Sequence, residues 1–208
     1  MIIVKDKFCF IHIPKTSGSS FTKIISKHCE TKKIIREEGS GWQGSHHFNS
    51  SGKSGGQHTS INDLKKDHLL KIKDLPVITI VRNPYSWIIS IYENFVNKGN
   101  FKMYLKSLKK VKKVYGNKKL QIDYINNIYD LPVNIYKFEE NPHREICKEY
   151  GLEFQERHLT SRNRTKKIKD YYDQESLKIV NSLFKLDFDH LNYKMISSCQ
   201  EFDNIIVF

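Results

Sequence analysis

Residues 10–21 read Phe-Ile-His-Ile-Pro-Lys-Thr-Ser-Gly-Ser-Ser-Phe (FIHIPKTSGSSF). A run of apolar and aromatic residues breaks at Pro14 and Lys15, and small residues follow from Ser17 to Ser20. Beyond them Phe21, Ile24 and Ile25 recur at the spacing that gives a helix one apolar face. The stretch therefore predicts a strand, a short loop and a helix, with a lysine at the front of the loop. The first amides of a helix have no intrahelical acceptor, and the helix dipole is positive at that end. Such a turn receives an anion, a nucleotide phosphate being the first candidate.

The loop does not follow the pattern G-x-x-x-x-G-K-[ST], in which backbone amides and a trailing lysine cradle nucleotide phosphates. Lys15 precedes Gly18 instead of following it. Gly52-Lys53-Ser54 also fails, because His47 stands where the first glycine is required and no strand precedes it. What remains is an anion loop with its lysine in front.

Outward from this stretch, residues 2–13 predict one buried strand and Ser19–His28 the first helix. Residues 39–57 hold six of the ten glycines and five serines, the composition of a flexible loop. A loop of that length is either a lid or substrate loop or a tolerated insertion. Thr59–Lys71 predicts a helix and Pro76–Val81 a β-branched, buried strand. Asn83 and Pro84 then open a helix as cap and first residue. Residues 98–119 carry nine lysines and no acid. With Phe101, Leu105, Leu108, Val111 and Tyr115 at helical spacing, they predict a basic amphipathic helix. Its charged side is either a solvated face or a docking face for an acidic acceptor. Asn134–Phe138 predicts a third strand, followed by a helix carrying Ile146 and Tyr150. Residues 157–169 form a basic loop, and Gln174–Leu186 a last helix. Strands alternating with helices imply an α/β fold around a parallel sheet.

With 208 residues, one domain over 1–208 is expected, large enough for a core. The net charge of +12 calls for an anionic partner. The four cysteines are scattered without a C-x-x-C pair and read as reduced thiols in a cytoplasmic setting. No signal-peptide core follows Met1, and no apolar run reaches the length of a membrane span. The Cys and His residues show no zinc spacing, so no metal is expected.

A second anion signal is VRNPYSWIIS, residues 81–90. Arg82 ends a strand, where the sheet edge and the next helix start form a ligand crevice. Ser86 and Ser90, four apart, share a helix face. Two anion sites on one sheet suit a ligand with phosphate at both ends.

Here the sequence resembles a known family. HIPKTSGSSF resembles the 5′-phosphosulfate loop of sulfotransferases that use 3′-phosphoadenosine 5′-phosphosulfate (PAPS), above all the carbohydrate O-sulfotransferase branch. VRNPYSWIISIY resembles the 3′-phosphate motif of that family. The likeness extends over YKFEENPHREICKEYGL and over NRTKKIKDYYDQESLKIVNSLFKLDFDHLNY, whose end matches a D-F-x-x-x-x-Y pattern. Ser17 stands where the family has a glycine, and Trp87 stands where arginine is common, a position expected to be structural.

The resemblance implies a three-layer sandwich with a central parallel sheet, similar to P-loop NTPases. It implies sulfuryl transfer from PAPS to a hydroxyl, on a saccharide, releasing 3′-phosphoadenosine 5′-phosphate (PAP). Lys15, Thr16, Ser17, Gly18, Ser19, Ser20 and Phe21 would form the phosphosulfate cradle, with Lys15 answering charge on the leaving oxygen. Arg82 and Ser90 would hold the 3′-phosphate, and Arg164 in the basic loop would close over the nucleotide. Gln57-His58-Thr59 resembles a helix start whose histidine lies near the acceptor, so His58 is the expected base. His46 and His47 are the alternatives, and His12 reads as structural. Three rivals stand beside this reading. One is a kinase-like nucleotide binder, although no Walker B acid is recognisable. Another is an inactive PAP-binding relative. The third is a basic nucleic-acid module, disfavoured because the lysines concentrate on one helix without a stacking platform.

Overall fold

The computed structural model describes residues 1–4, 6–25, 58, 60–64, 69–70, 72–96, 99–111, 114, 118–126, 129–154 and 167–204. The loop 39–57, with His46 and His47, and the basic-loop residue Arg164 lie outside the described residues.

Strand β1 (Ile2–Val4) and strand β2 (Phe8–Ile11) pair antiparallel, with Ile2 opposite Phe10. This corrects the expectation of one strand over 2–13. The chain reverses at Asp6, whose φ of 58° is left-handed, and the Lys7 amide donates to the Val4 carbonyl at 3.1 Å. Asp tolerates that conformation, and polar residues interrupt the apolar run there. Helix α1 (Gly18–Ile25) follows the loop after β2.

Strand β3 (Val77–Val81) lies parallel to β2, and every one of its residues is buried. A continuous apolar run of this kind marks a strand covered on both faces. Helix α2 (Pro84–Ile91) opens as expected, with the Tyr85 amide donating to the Asn83 side chain at 3.0 Å. It continues as a π-helical segment over Tyr92–Val96. Helix α3 (Phe101–Leu108) and the short helix α4 (Ile122–Ile125) lead to strand β4 (Val133–Lys137), parallel to β3. Helix α5 (His143–Glu149), helix α6 (Gln174–Leu183) and helix α7 (Lys185–His190) complete the chain.

The four strands form one sheet in the order β1-β2-β3-β4, mostly parallel. Alternate residues of β2 and β3 divide between two apolar clusters. Phe8, Phe10, Ile78 and Ile80 pack with Phe21 and Ile146. Cys9, Ile11, Val77 and Val81 pack with Ile88 and Phe188. Each such fully buried side chain stabilises the fold by about 1.5–3 kcal/mol. The mixed α/β fold read from the sequence is present. Among the described residues no helix is long and apolar enough to cross a membrane.

Three helix expectations need correction. The basic helix expected over 98–119 stops at Leu108, and Lys109 and Lys110 close it as a turn. Val111, the next position in the apolar period, is 43% exposed, so packing of that side chain does not support a further turn. Thr59–Lys71 is not one helix. Ile61–Asp63 is a 3₁₀ turn, and Leu64 is extended at φ −79°, ψ 142°. Asp63 folds back to accept from the Ser60 hydroxyl at 2.6 Å, a local bond that competes with a helix. The helix expected to run from Gln174 to Leu186 breaks at Phe184. The break lets Phe184, Asp187 and Phe188 all turn inward.

Candidate functional site

The loop after β2 is pinned before it reaches the start of α1. The Trp87 indole donates to the Pro14 carbonyl at 2.7 Å, and the Thr16 hydroxyl donates to the Ile13 carbonyl at 2.9 Å. Trp87 is therefore structural, as expected of that position. Thr16 is buried with its hydroxyl turned back into the loop, so only its backbone is left to face a ligand.

Lys15 and Ser17 both adopt left-handed backbone, with φ of 63° and 70°. For a residue with a Cβ this costs about 1–2 kcal/mol, and it persists only where the surroundings enforce it. Ser17 thus keeps the kind of backbone conformation that glycine adopts freely. Its carbonyl accepts from the amides of Ser20 and Phe21 at 3.0 and 3.1 Å. Those two amides are spent inside the helix, and the Phe21 ring is buried in the core. Of the expected cradle, the Gly18 and Ser19 amides and the exposed Ser19 side chain stand at the helix start.

Gly18 is required by close approach rather than by its dihedral angles. A Cβ there would lie 2.0 Å from His12 Cδ2. The His12 ring is 1% exposed and packs edge-on against the His58 ring, centroids 4.4 Å apart. The His58 Nδ1 lies 2.8 Å from the His12 carbonyl oxygen. A carbonyl only accepts, so Nδ1 carries the proton and Nε2 is the acceptor nitrogen of the ring. Burial pushes the His58 imidazole down to about 4, against the pull of the His12 carbonyl, and the Lys15 ammonium adds to the lowering. His58 is thus neutral across the physiological range.

The Lys15 ammonium sits 5.9 Å from the centroid of the Phe95 ring, on the π-helical continuation of α2. An uninterrupted α-helix would put Phe95 on the face of Ile88, seven residues earlier and fully buried. Phe95 is instead 48% exposed. Sequence reasoning missed this residue, because α-helical periodicity assigns it to the core.

The second turn follows β3. The Arg82 side chain donates from Nε to the Ser86 hydroxyl at 2.8 Å and from Nη1 to the Lys15 carbonyl at 3.3 Å. Its guanidinium lies over the Phe138 ring at 4.4 Å. The two turns are therefore in direct contact. Ser90 is buried one turn beyond Ser86, and its carbonyl accepts from the Asn94 side chain. The hydroxyl that takes Arg82 Nε is that of Ser86.

Beside the loop, on α5, His143 is 2% exposed and its ring lies against the Ser17 backbone. Burial lowers its pKa. No three His, Cys, Asp or Glu side chains cluster as a metal site would require, again among the described residues.

No curated protein and no solved structure gives a significant match to the chain. The model of one family, the sulfotransferase family, matches residues 1–124. That span is more than half of the 208 residues. It contains β2 with the left-handed loop, β3 with Arg82, and His58 between them. The two touching turns thus fall inside the matched region, and the chain belongs to the sulfotransferase family.

Proposed function

We propose that this protein moves a sulfuryl group from PAPS to a hydroxyl of a saccharide and releases PAP. The observation that carries the reading is the junction of the two turns, where Arg82 Nη1 meets the Lys15 carbonyl. A nucleotide with phosphate at both its 5′ and 3′ ends suits two adjacent cation-bearing turns on neighbouring parallel strands. A nucleotide with 5′-phosphates alone has no use for the second.

The roles follow from chemistry. The α1 start, with the amides of Gly18 and Ser19 and the hydroxyls of Ser19 and Ser20, holds the 5′-phosphosulfate. Arg82 binds the 3′-phosphate, with Ser86 and Ser90 on the adjoining helix face. The acceptor oxygen attacks sulfur in line, the bond from sulfur to the phosphate oxygen breaks, and the acceptor proton passes to His58 Nε2. Lys15 meets the negative charge on the departing oxygen. Little covalent work falls to the protein, so positioning and preorganised charge supply the rate. Phe95 beside Lys15 lines the approach of the acceptor. Arg164 closes over the nucleotide. The whole chain acts as one domain, a three-layer sandwich of the P-loop-like kind, working in the cytoplasm.

Two measurements test the reading. Radiolabelled sulfate should pass from PAPS to a saccharide panel, and calorimetry should show PAP binding more tightly than AMP. A charge-assisted contact contributes about 1.5–3 kcal/mol, so the preference should be about ten- to a hundredfold. Equal affinities for PAP and AMP would sink the assignment of Arg82.

A further inference from the structure

The backbone of Arg82 and Asn83 is a problem that the sheet does not solve. The ladder between β3 and β4 ends with Val81 opposite Lys137. Arg82 and Asn83 lie one and two residues further on, 7% and 4% exposed, and Pro84 follows. Buried backbone donors and acceptors must be paired, and no neighbouring strand continues there to pair them.

Two side chains do so instead. The Gln121 carboxamide accepts from the Arg82 amide at 2.8 Å and donates to the Arg82 carbonyl at 2.7 Å. These are the two bonds an adjacent strand residue would make. The Glu139 carboxylate accepts from the Asn83 amide at 2.8 Å with Oε1.

Each of the two is itself held by one end of the C-terminal D-F-x-x-x-x-Y segment. The Asp187 carboxylate accepts from the amides of Gln121 and Ile122 at 3.0 and 2.9 Å, which fixes the start of α4. The Tyr193 hydroxyl donates to Glu139 Oε2 at 2.8 Å. Gln121 and Asp187 are completely buried. The C-terminal segment lies outside the span that the family model matches, yet both its ends converge on two consecutive residues of the second anion turn.

We propose that Asp187 with Gln121, and Tyr193 with Glu139, form a two-sided clamp that positions Arg82 and so sets discrimination for the 3′-phosphate. The clamp rests on the reading of Arg82 as the 3′-phosphate contact. The guanidinium leaves a backbone held on its amide, its carbonyl and the next amide. Its own contacts with Ser86, the Lys15 carbonyl and Phe138 then select one direction. A long side chain aimed this way loses less freedom when it binds an anion than one on a mobile backbone. None of the four clamp residues needs to touch the ligand. They are positioning residues.

The test compares PAP with AMP, two ligands that differ only in the 3′-phosphate. Calorimetry is run on the full chain carrying Tyr193→Phe, Asp187→Asn, Gln121→Glu or Arg82→Ala. Tyr193→Phe removes one hydroxyl and leaves the ring. Gln121→Glu keeps the acceptor for the Arg82 amide and loses the donor to its carbonyl. The clamp requires that Tyr193→Phe and Gln121→Glu lower the PAP to AMP affinity ratio by about three- to tenfold, the worth of one net hydrogen bond, with AMP affinity unchanged. Asp187→Asn should do the same, and its thermal midpoint reports whether it still folds. A merely structural role would weaken both nucleotides alike or leave the ratio unchanged in Tyr193→Phe, and either result overturns the clamp. If the unaltered protein shows no preference for PAP, the reading of Arg82 fails and the clamp falls with it. If the preference exists and vanishes in Arg82→Ala but survives in every clamp variant, the clamp alone is wrong.

Discussion

The two turns proposed to bind anions look alike in outline and are built by opposite means. Each joins a parallel strand to a helix start. The turn at residues 14–21 is made of backbone, with two left-handed residues, a glycine pressed against His12, and helix amides in front. The turn at residues 81–86 is made of side chains. Its guanidinium is aimed by a hydroxyl, a carbonyl and a ring, and its backbone is held by a carboxamide and a carboxylate from distant segments. A backbone site depends on a few adjacent residues of the right shape. A side-chain site depends on contacts gathered from across the chain.

His58, the proposed base beside the first turn, offers the hardest test of this difference. His58→Ala should lower turnover by roughly 10²–10⁴ while PAP affinity stays near normal. The acid limb of the kcat/KM profile of the unaltered protein should fall near pH 4, not near the ordinary imidazole value of about 6.5. The same lowering affects stability. Between about pH 6.5 and pH 4 the unfolded chain binds the proton that half-buried His58 refuses. Stability should therefore fall as pH drops through that window and level off below it, and His58→Ala should flatten the slope. A turnover profile with its acid limb at 6.5 would place the base elsewhere.

In the proposed reaction, Lys15 and Arg82 separate the two turns by the kind of step they serve. Lys15→Ala should lower turnover by roughly 10²–10³ with little change in PAP binding, because the charge it meets grows as the bond breaks. Arg82→Ala should mainly weaken PAP. Equal loss of binding and turnover in Lys15→Ala would make that lysine a clamp on the bound nucleotide only.

Gly18→Ala probes the backbone character of the first turn directly. The added Cβ would lie 2.0 Å from a buried His12 ring that has nowhere to retreat. Overpacking of this kind costs about 1–3 kcal/mol, to be read from a urea unfolding midpoint. Displacing His12 should also disturb His58, which leans on its ring and its carbonyl. An unchanged midpoint would mean that the loop can shift freely.

Ser17→Gly is the gentlest change. It relieves about 1–2 kcal/mol of left-handed strain and adds about 0.5–1 kcal/mol of backbone entropy cost. The net gain should be no more than about 1.5 kcal/mol, seen as a higher unfolding midpoint. A lower midpoint would show that the Ser17 side chain makes a contact worth more than the strain.

Much of this was legible in residues 10–21 and 81–90 because both turns follow local rules. Apolar runs buried on two faces announced β2 and β3. Asn83 and Pro84 announced α2, and small residues after Lys15 announced the start of α1. Where local pattern was the only guide, it failed in recognisable ways. Apolar continuity fused β1 and β2 across Asp6. Helical spacing carried a helix past Leu108, where Val111 stays exposed, and past Phe184, where the core demanded a break. It also gave no sign of Phe95, which the π-helical segment leaves half exposed beside Lys15.

The sequence by itself determined the strand–turn–helix units, the lysine and arginine at their tips, and the family to which they belong. These depend on residue type and spacing within about a dozen positions, the range over which backbone preference and periodicity act. Only the tertiary structure decided that Arg82 reaches the Lys15 carbonyl and that His58 rests on His12. It alone showed Gln121 and Glu139, seated by Asp187 and Tyr193, pairing the backbone beyond the end of β3. Those pairings join residues 39 to 67 positions apart. Buried polar groups must find partners wherever the fold brings one within about 3 Å, and no local pattern records which distant residue that will be.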